Sequence, residues 1–243
     1  MLEEKRDMYI RSIRIRKEEL PSYSEYPFSL PAVRELDEIR LHPKVTFFVG
    51  ENGTGKSTLL EAIAVAIGFN PEGGTKNFNF STQDSHSDLH RYLTVIRSPK
   101  KPRDGFFLRA ESFYNFSTNV DVLGIIDSYG GKSLHHQSHG EAFFATFMNR
   151  FMGRGIYILD EPEAALSPTR QMAMISRIHD LVGLDSQFII ATHSPIIMAY
   201  PDATIMHFSE EGIAVIAYEE TEHFRVTREF LMNRKRMLEI LME

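Results

Sequence analysis

Eight residues early in the chain have the composition and spacing of a phosphate-binding loop. Gly50–Ser57 reads Gly-Glu-Asn-Gly-Thr-Gly-Lys-Ser, and an apolar run precedes it. Glycines let successive backbone N–H groups turn toward phosphate oxygens, and the helix that follows adds the partial positive charge of its N-terminus. Lys56 would then reach the β- and γ-phosphates of a nucleoside triphosphate, and Ser57 would bind Mg²⁺. The residues expected to hold the nucleotide are Gly50, Asn52, Gly53, Thr54, Gly55, Lys56, Ser57 and Thr58.

Two adjacent carboxylates, Asp160 and Glu161, follow the apolar run Ile156–Leu159. The run has the length and composition of a strand that is buried on both faces. At the carboxyl end of such a strand we expect Asp160 to bind Mg²⁺ and Glu161 to polarise the attacking water as general base. Paired acids after a strand are often only a solvated turn, but the phosphate loop in the same chain favours the catalytic interpretation.

A second candidate anion site begins at Ser138. The sequence Ser138-His139-Gly140-Glu141 precedes a helical pattern, so the Ser138 hydroxyl, the backbone amide groups around Gly140 and the helix N-terminus could together bind an anion. The alternative is a capping box, in which Ser138 caps the helix and Glu141 bonds back to it three residues later.

His193 is a candidate for a second catalytic group. It follows the apolar run Gln187–Ala191, at a strand end where an imidazole could hydrogen-bond the γ-phosphate and orient the attacking water. A structural histidine with satisfied hydrogen bonds is the alternative.

These candidates fall at the ends of elements that the hydrophobic pattern predicts. Strands are predicted over residues 8–16, 45–49, 93–96, 105–110, 156–159, 187–191, 204–208 and 213–217, the last two as a hairpin. Helices are predicted over residues 57–67, from near 111, over 140–152 and 168–182, and at the C-terminus. Residues 70–87 are rich in polar residues and turn formers, which predicts a long loop. Alternating strands and helices imply a mainly parallel sheet with crossover helices.

Composition limits the class of protein. With 243 residues, 42% of them hydrophobic and 11% aromatic, the chain can bury the core of one α/β domain over residues 1–243. Within that domain we expect an inserted loop and lobe at about 70–140, and a hairpin and helix at 204–243. No stretch reaches bilayer length and the first residues do not resemble a signal peptide, so we expect a cytoplasmic protein without membrane insertion. The absence of cysteine excludes disulfides and thiolate metal ligands. A net charge of −6 restricts any nucleic-acid contact to local basic patches.

The motifs together resemble those of ATP-binding-cassette (ABC) ATPases. Asp160–Pro168 is similar to the acidic motif and D-loop, Ser138–Glu141 to the signature motif, and Thr192–Ser194 to the switch-histidine motif of this family. With the phosphate loop, they stand in the family's order. The resemblance implies an α/β P-loop NTPase fold of ABC type, with a mainly parallel central sheet flanked by helices, a peripheral antiparallel sheet and a small helical lobe. It also implies ATP and Mg²⁺ as ligands, and an ATP-dependent head-to-tail homodimer in which the signature of one subunit closes on the γ-phosphate bound by the other.

The chain departs from the family pattern at two places. His139 stands where the first glycine of the signature is usual, so a side chain enters the second anion site. The family also has a glutamine at a strand end that contacts Mg²⁺ and water. The Arg109-Ala110-Glu111 neighbourhood at the end of the strand predicted at 105–110, with Glu111 as its candidate, is favoured for this place over Gln83 in the polar loop; the third alternative is that neither fills it. The candidates for the adenine contact are Tyr23, Tyr26 and Phe28.

About eighty residues separate Lys56 from Ser138, too few for the coiled-coil arms of SMC-type ATPases. The chain is more similar to short ATPases of the RecF-like and overcoming-lysogenization-defect-like branch. That resemblance implies an ATP-driven switch for an effector protein or a nucleic acid, in DNA repair or phage defence. The nucleotide-binding subunit of a membrane transporter is the alternative, which the atypical signature disfavours. A regulator that binds ATP without hydrolysing it is a third hypothesis, and the intact Lys56, Asp160 and Glu161 argue against it.

Overall fold

The computed structural model describes residues 8–76 and 87–243. The strands are β1 (Ile10–Ile15), β2 (Glu38–Arg40), β3 (Val45–Gly50), β4 (Leu93–Arg97), β5 (Asp104–Arg109), β6 (Gly155–Asp160), β7 (Gln187–Ala191), β8 (Ala203–Ser209) and β9 (Gly212–Ile216). The α-helices are α1 (Pro31–Arg34), α2 (Lys56–Ala66), α3 (Phe113–Val122), α4 (His139–Arg150), α5 (Pro168–Gly183), α6 (Glu222–Met232) and α7 (Arg234–Leu241).

Six strands form the main sheet, in the order β5-β6-β7-β3-β8-β9. Neighbouring strands are parallel except for β8 and β9, which form an antiparallel hairpin. A parallel pair needs a crossover rather than a tight turn, and α5 supplies it between β6 and β7, while α3 and α4 lie between β5 and β6 in the chain. The prediction of a mainly parallel sheet flanked by helices is confirmed.

Both faces of the main sheet are covered. Every residue of β3, β6 and β7 is buried, as expected for strands between two layers of helices. Successive side chains alternate between the two cores: Phe48 packs on the side of α2, whereas Phe47 packs on the side of α3, α4 and α5. This alternation fixes the register of the sheet, because a shift of one residue would exchange the two sets of side chains.

A small antiparallel sheet, in the order β2-β1-β4, lies beside the main sheet. The side chain of Gln187, the first residue of β7, connects the two. Its Oε1 accepts hydrogen bonds from the backbone N–H groups of Tyr9 (3.0 Å) and Ile10 (2.9 Å). Its Nε2 donates to the carbonyl oxygens of Ile10 (2.8 Å) and His42 (3.0 Å). One buried amide therefore satisfies backbone groups of both β1 and the turn before β3.

Two features of the connections differ from the simplest interpretation of the sequence. The strands expected at 93–96 and 105–110 both exist, but β4 joins the small sheet and β5 joins the main sheet, so the basic turn between them connects two sheets. The C-terminal helix expected from the sequence is divided into α6 and α7 at Asn233, whose backbone leaves the helical region (φ −124°, ψ 33°). Among the described residues, no helix is both long and apolar enough to cross a membrane.

The connection through Gln187 predicts a large loss of stability when its amide is removed. In Gln187→Leu, the buried backbone groups that it serves lose their partners, at a cost of about 1–3 kcal/mol each when nothing replaces them. We expect the free energy of unfolding to fall by at least about 3 kcal/mol. The measurement is urea denaturation followed by far-UV circular dichroism.

Gln137→Leu is the matched control, because Gln137 donates only two long hydrogen bonds, of 3.4 and 3.5 Å, to the chain just before it. That variant should change the free energy of unfolding by less than about 1 kcal/mol. Equal effects of the two substitutions would contradict the role given to Gln187.

Candidate nucleotide site

The carboxyl ends of β3, β6 and β7 meet at one edge of the main sheet. Ala191, the last residue of β7, pairs with Phe48 on one side and with Asp160 on the other. The phosphate loop that follows β3, the acids at the end of β6 and the Thr192–Ser194 segment after β7 are therefore neighbours. Ligands of open α/β sheets bind at this kind of edge.

The phosphate loop has a backbone that favours glycine at three positions, Gly50, Gly53 and Gly55, each with positive φ. Gly50 has φ +140°, and a Cβ there would lie 2.2 Å from the carbonyl oxygen of Phe208 in β8. Gly55 precedes α2 with φ +97°. The loop tip, Asn52 and Gly53, is exposed, whereas Thr54 and Lys56 are buried. The loop thus leaves its tip open to a ligand while the start of α2 is held in the core.

Lys56 lies under this loop with its ammonium group close to the backbone. Its Nζ donates hydrogen bonds to the carbonyl oxygens of Gly50 (2.8 Å) and Glu51 (2.7 Å). Burial lowers the pKa of Lys56, and the carboxylates of Glu161 and Asp160 act in the opposite direction. The Lys56 amine is therefore shielded from water and lies close to carboxylates. Phosphate oxygens would be strong hydrogen-bond acceptors for it.

Asp160 is the buried centre of the acidic side of the site, with only 5% of its surface exposed. Its Oδ1 accepts a hydrogen bond from Ser57 Oγ (2.9 Å), and its Oδ2 lies 3.3 Å from Arg109 Nε. Burial raises the pKa of Asp160, whereas the Arg109 charge and the Ser57 hydrogen bond lower it. The structure thus brings together the two side chains that the sequence predicts as Mg²⁺ ligands.

Arg109 is the main member of the site to which the sequence analysis gave no role of its own. It ends β5, and its guanidinium also pairs with Glu61 of α2 (2.7 Å) and Glu111 (3.4 Å). Glu111 is exposed. Near the end of β5, the residue that directly contacts Asp160 is therefore Arg109 and not Glu111. Gln83, the other candidate for the family's glutamine, lies outside the described residues. The signal for Arg109 was its position at the end of a strand that the pattern already predicted.

Glu161 and His193 face each other at the open side of the site. Glu161 adopts the left-handed backbone region (φ +49°), and its N–H donates to the carbonyl oxygen of Ala191 (3.0 Å). Its side chain is 44% exposed, and its Oε1 lies 3.7 Å from His193 Nε2. That imidazole nitrogen is buried and has no hydrogen-bond partner among the described residues. The separation of 3.7 Å is an ion-pair distance and is longer than a hydrogen bond.

Glu163 and His223 hold the His193 segment in place, and sequence reasoning missed both roles. The Glu163 carboxylate accepts hydrogen bonds from Thr192 Oγ1 (2.7 Å) and from the backbone N–H of His193. Burial raises the pKa of Glu163, and those two hydrogen bonds lower it. His193 Nδ1 shares a hydrogen bond of 2.8 Å with Nε2 of His223 in α6. The acid spacing Asp-Glu-Pro-Glu could have suggested Glu163, but no local pattern indicated His223.

Ser138 and Gly140 begin α4, as predicted, and the capping box of the alternative interpretation is present. Ser138 Oγ accepts from the N–H of Glu141 (3.4 Å), and Glu141 Oε2 accepts from the N–H of Ser138 (3.1 Å). Gly140 packs tightly against the D-loop segment, since a Cβ there would lie 2.3 Å from the carbonyl oxygen of Ala165. The His139 ring packs edge-on against Phe113, with 5.5 Å between centroids. Ser138 is exposed, so the anion site predicted there faces outward.

The three aromatic candidates for the adenine contact have different surroundings. Phe28 is buried and packs against Tyr92, with ring centroids 5.2 Å apart, which leaves it no free face for a base. Tyr26 is 66% exposed, and its hydroxyl lies 3.2 Å from Thr58 Oγ1 at the start of α2. Tyr23 is exposed. Tyr26 is therefore the candidate that the structure places beside the phosphate loop.

The close approach of Gly140 to Ala165 predicts that a methyl group there is not tolerated. In Gly140→Ala the added carbon meets a backbone oxygen that cannot rotate away, so helix and D-loop must separate. We expect the free energy of unfolding to fall by about 1–3 kcal/mol.

Gly183→Ala is the control at the end of α5, where a Cβ would have no heavy atom of the described residues within 4 Å. It should be neutral or stabilising by up to about 1 kcal/mol. Thermal and urea unfolding measure both, and a neutral Gly140→Ala variant would disprove the packing.

Comparisons with known proteins bear on the fold of the chain. A family described as "AAA domain" matches residues 28–110, from before the phosphate loop to the end of β5. No curated protein matches the sequence. Among solved structures, cbiO1 from Clostridium perfringens, part of the ABC transporter complex cbiONQ, is similar at 18% identity and TM-score 0.50, covering 97% of this chain and 99% of that one. The SMC head domain from Thermotoga maritima is similar at 13% identity and TM-score 0.46, covering 86% and 98%.

At 18% identity the likeness to cbiO1 shows the fold alone, and the family match adds the phosphate-loop region. Both confirm the resemblance that the order of the motifs predicted. The chain therefore has the fold of an ABC-type P-loop ATPase, and its residues 28–110 match the AAA domain family.

Proposed function

We propose that this protein binds ATP with Mg²⁺ at the edge formed by β3, β6 and β7 and hydrolyses it to ADP and phosphate. The observation that carries the proposal is the hydrogen bond of 2.9 Å between Ser57 Oγ and Asp160 Oδ1, which joins the phosphate loop to the acidic strand end across 103 residues of sequence. A hydroxyl and a carboxylate from these two elements are the protein ligands that Mg²⁺ has in P-loop NTPases.

The residues present fit a triphosphate. The phosphate loop offers backbone N–H groups at a helix N-terminus, which bind anions. Lys56 Nζ donates hydrogen bonds to the carbonyl oxygens of Gly50 and Glu51 at the base of the loop. When a nucleotide binds, Lys56 would replace these neutral acceptors with charged phosphate oxygens. Within the described part of the chain His193 Nε2 is buried and has no hydrogen-bond partner, which fits an acceptor supplied by a ligand on this side of the site. Tyr26 beside Thr58 supplies an exposed ring for the adenine base.

Ser57 and Asp160 would hold Mg²⁺, which neutralises the charge that develops on the phosphate oxygens. Asp160 is well suited to this because its second oxygen lies 3.3 Å from the Arg109 guanidinium, whose charge favours the ionised carboxylate. Burial raises its pKa, and a divalent cation next to it would favour the ionised form. The fit therefore depends on both neighbours of Asp160, the hydroxyl and the guanidinium.

Glu161 is placed to act as the general base. Its backbone is fixed by the hydrogen bond to Ala191, while its carboxylate remains half exposed to solvent. A water between Glu161 and the γ-phosphate would give its proton to this carboxylate as the water oxygen attacks phosphorus. The bond from phosphorus to the β–γ bridging oxygen would break, and ADP would leave. His193, 3.7 Å away, would donate from Nε2 to the γ-phosphate and keep the attacked group in place.

For the assembly, we propose that two copies enclose ATP head to tail, with Ser138 and Gly140 of each copy contacting the nucleotide of the other. Support comes from the exposure of Ser138 at the N-terminus of α4 and from the contact of Gly140 with the D-loop segment, which connects this helix to Glu161.

We favour a cytoplasmic switch for an effector or a nucleic acid, in repair or defence, over a transporter subunit because His139 fills the place where the signature normally has a small residue.

Glu161→Gln tests the proposed function. The amide keeps the size of the side chain but cannot accept a proton, so ATP turnover should fall at least about a hundredfold. ATP affinity should be unchanged, because Lys56, Ser57 and Asp160 are untouched. Steady-state phosphate release and equilibrium titration measure the two quantities. Light scattering should show a dimer of this variant with ATP·Mg²⁺ and a monomer with ADP.

Glu210→Gln, at the exposed turn between β8 and β9, is the matched control and should hydrolyse ATP at the wild-type rate. Turnover of Glu161→Gln near the wild-type rate would show that another group is the base. A variant that binds ATP but remains monomeric would remove the head-to-tail dimer from the proposal and leave the hydrolytic site intact.

A further inference from the structure

The hydrogen bond between His193 and His223 links the catalytic edge to the C-terminal part of the chain. His193 Nδ1 and His223 Nε2 are 2.8 Å apart, and the two rings meet edge-on with 4.9 Å between centroids at 61°. The opposite nitrogen of His193, Nε2, faces Glu161 Oε1 at 3.7 Å. His193 therefore has one ring nitrogen engaged by His223 and the other directed into the candidate nucleotide site.

The first turn of α6 is attached to the segment that contains His193. Thr221, buried, caps the helix by accepting from the N–H of Phe224 (3.4 Å), and its hydroxyl donates to the carbonyl oxygen of Tyr218 (2.7 Å). The Tyr218 hydroxyl in turn donates to the carbonyl oxygen of Pro195 (2.8 Å), two residues after His193. No residue within α6 is buried, so this attachment at its beginning, rather than packing on the core, places His223.

The shared hydrogen bond contains one proton, and its location determines what His193 offers to the site. Burial lowers the pKa of both histidines. The nearby Lys56 charge adds to this effect, whereas Glu161 opposes it at His193 and Glu222 opposes it at His223, so the net direction favours the neutral form of each ring. A neutral imidazole has one N–H and one bare nitrogen. If His193 carried the proton on Nδ1, its bare Nε2 would face the Glu161 carboxylate and the phosphates, which repel a lone pair. If His223 carries it on Nε2, His193 has its N–H on Nε2 and donates toward them.

We propose that His223 is a positioning residue that donates to His193 Nδ1 and so fixes His193 as the tautomer with its N–H on Nε2, directed at the γ-phosphate. This inference rests on the proposed function, because it assigns His223 a role in the same hydrolytic site. A histidine ligand or catalyst commonly has its tautomer set by a partner at the other ring nitrogen, and here that partner is another histidine from a distant helix.

Nitrogen NMR of the histidine rings tests the tautomer in the ligand-free protein. With ¹⁵N-labelled histidine, wild type at neutral pH should show the His193 proton on Nε2, the His223 proton on Nε2, and a scalar coupling through the hydrogen bond between His193 Nδ1 and His223 Nε2. A His193 proton on Nδ1, or no coupling, would overturn the proposal. This result does not depend on any catalytic activity.

Two substitutions at His223 separate positioning from a structural role. His223→Leu removes the donor, and ATP turnover should fall by about tenfold or more, the scale seen when a residue that orients a functional histidine is lost. The KM for ATP should change by less than about threefold, because ATP is held mainly by the phosphate loop. His223→Gln places an amide N–H near the former Nε2 and should restore turnover to within about threefold of wild type, with the His193 proton again on Nε2.

His179→Gln, an exposed histidine in α5, is the control and should leave turnover and the His193 tautomer unchanged. Equal losses in His223→Leu and His223→Gln, with the His193 proton on Nε2 in both, would overturn the positioning role. If wild type does not hydrolyse ATP but the ring protons and the coupling are as expected, the proposed function fails while the hydrogen-bond assignment stands. If wild type hydrolyses ATP and His223→Leu has full activity, the inference fails and the proposed function stands.

Discussion

The site depends on the contacts that compensate for burying the carboxylate of Asp160. A carboxylate removed from water costs several kcal/mol unless charges and hydrogen bonds compensate for it. Here Ser57 of α2 and Arg109 of β5 provide that compensation, and Arg109 is held in turn by Glu61, also of α2. The contacts join three elements that are far apart in the sequence, so they form only when β5, β6 and the phosphate loop are in register. Removing Arg109 would leave Asp160, Glu61 and Glu111 without this cation.

The burial of the parallel strands explains why the polar groups collect at one edge. Because β3, β6 and β7 are covered on both faces, their side chains cannot reach solvent along the strands. The charged residue of these three strands, Asp160, lies where its strand ends, and parallel strands all end on the same side. Gln187 lies at the other end of β7 and has a structural role instead. Its buried amide makes four hydrogen bonds to backbone groups and has no donor or acceptor left for a ligand.

The sequence predicted those parts of the fold and site that depend on local patterns. Apolar runs predicted β3, β6 and β7, and the residues just after them predicted Lys56, Asp160 and Glu161 as neighbours, which the structure brings to one edge. The identity of the structural class followed from the order of the motifs and is confirmed by the fold. The roles of the site residues, the dimer and the nucleic-acid or effector partner stay predictions.

What the sequence did not predict depends on contacts between distant segments. Arg109 pairs with Asp160 only because β5 lies beside β6, and His223 meets His193 only because the C-terminal helix begins next to the loop after β7. The separation of β4 and β5 into different sheets has the same cause: alternation predicts a strand but does not say which strand pairs with it. Ser138 is an instructive case, since a capping box and an anion site have the same local sequence, and the isolated chain displays the capping box.

The most direct test of the account is whether Mg²⁺ strengthens ATP binding through Asp160. Calorimetric titration of ATP into wild type and Asp160→Asn, each with Mg²⁺ and with a chelator, gives the contribution of the metal in both proteins. We expect one ATP site whose affinity rises at least about tenfold with Mg²⁺ in wild type, equivalent to about 1.4 kcal/mol, and an increment below about threefold in Asp160→Asn. No ATP binding by wild type, or an equal Mg²⁺ increment in both proteins, would contradict the assignment of this edge as the ATP·Mg²⁺ site.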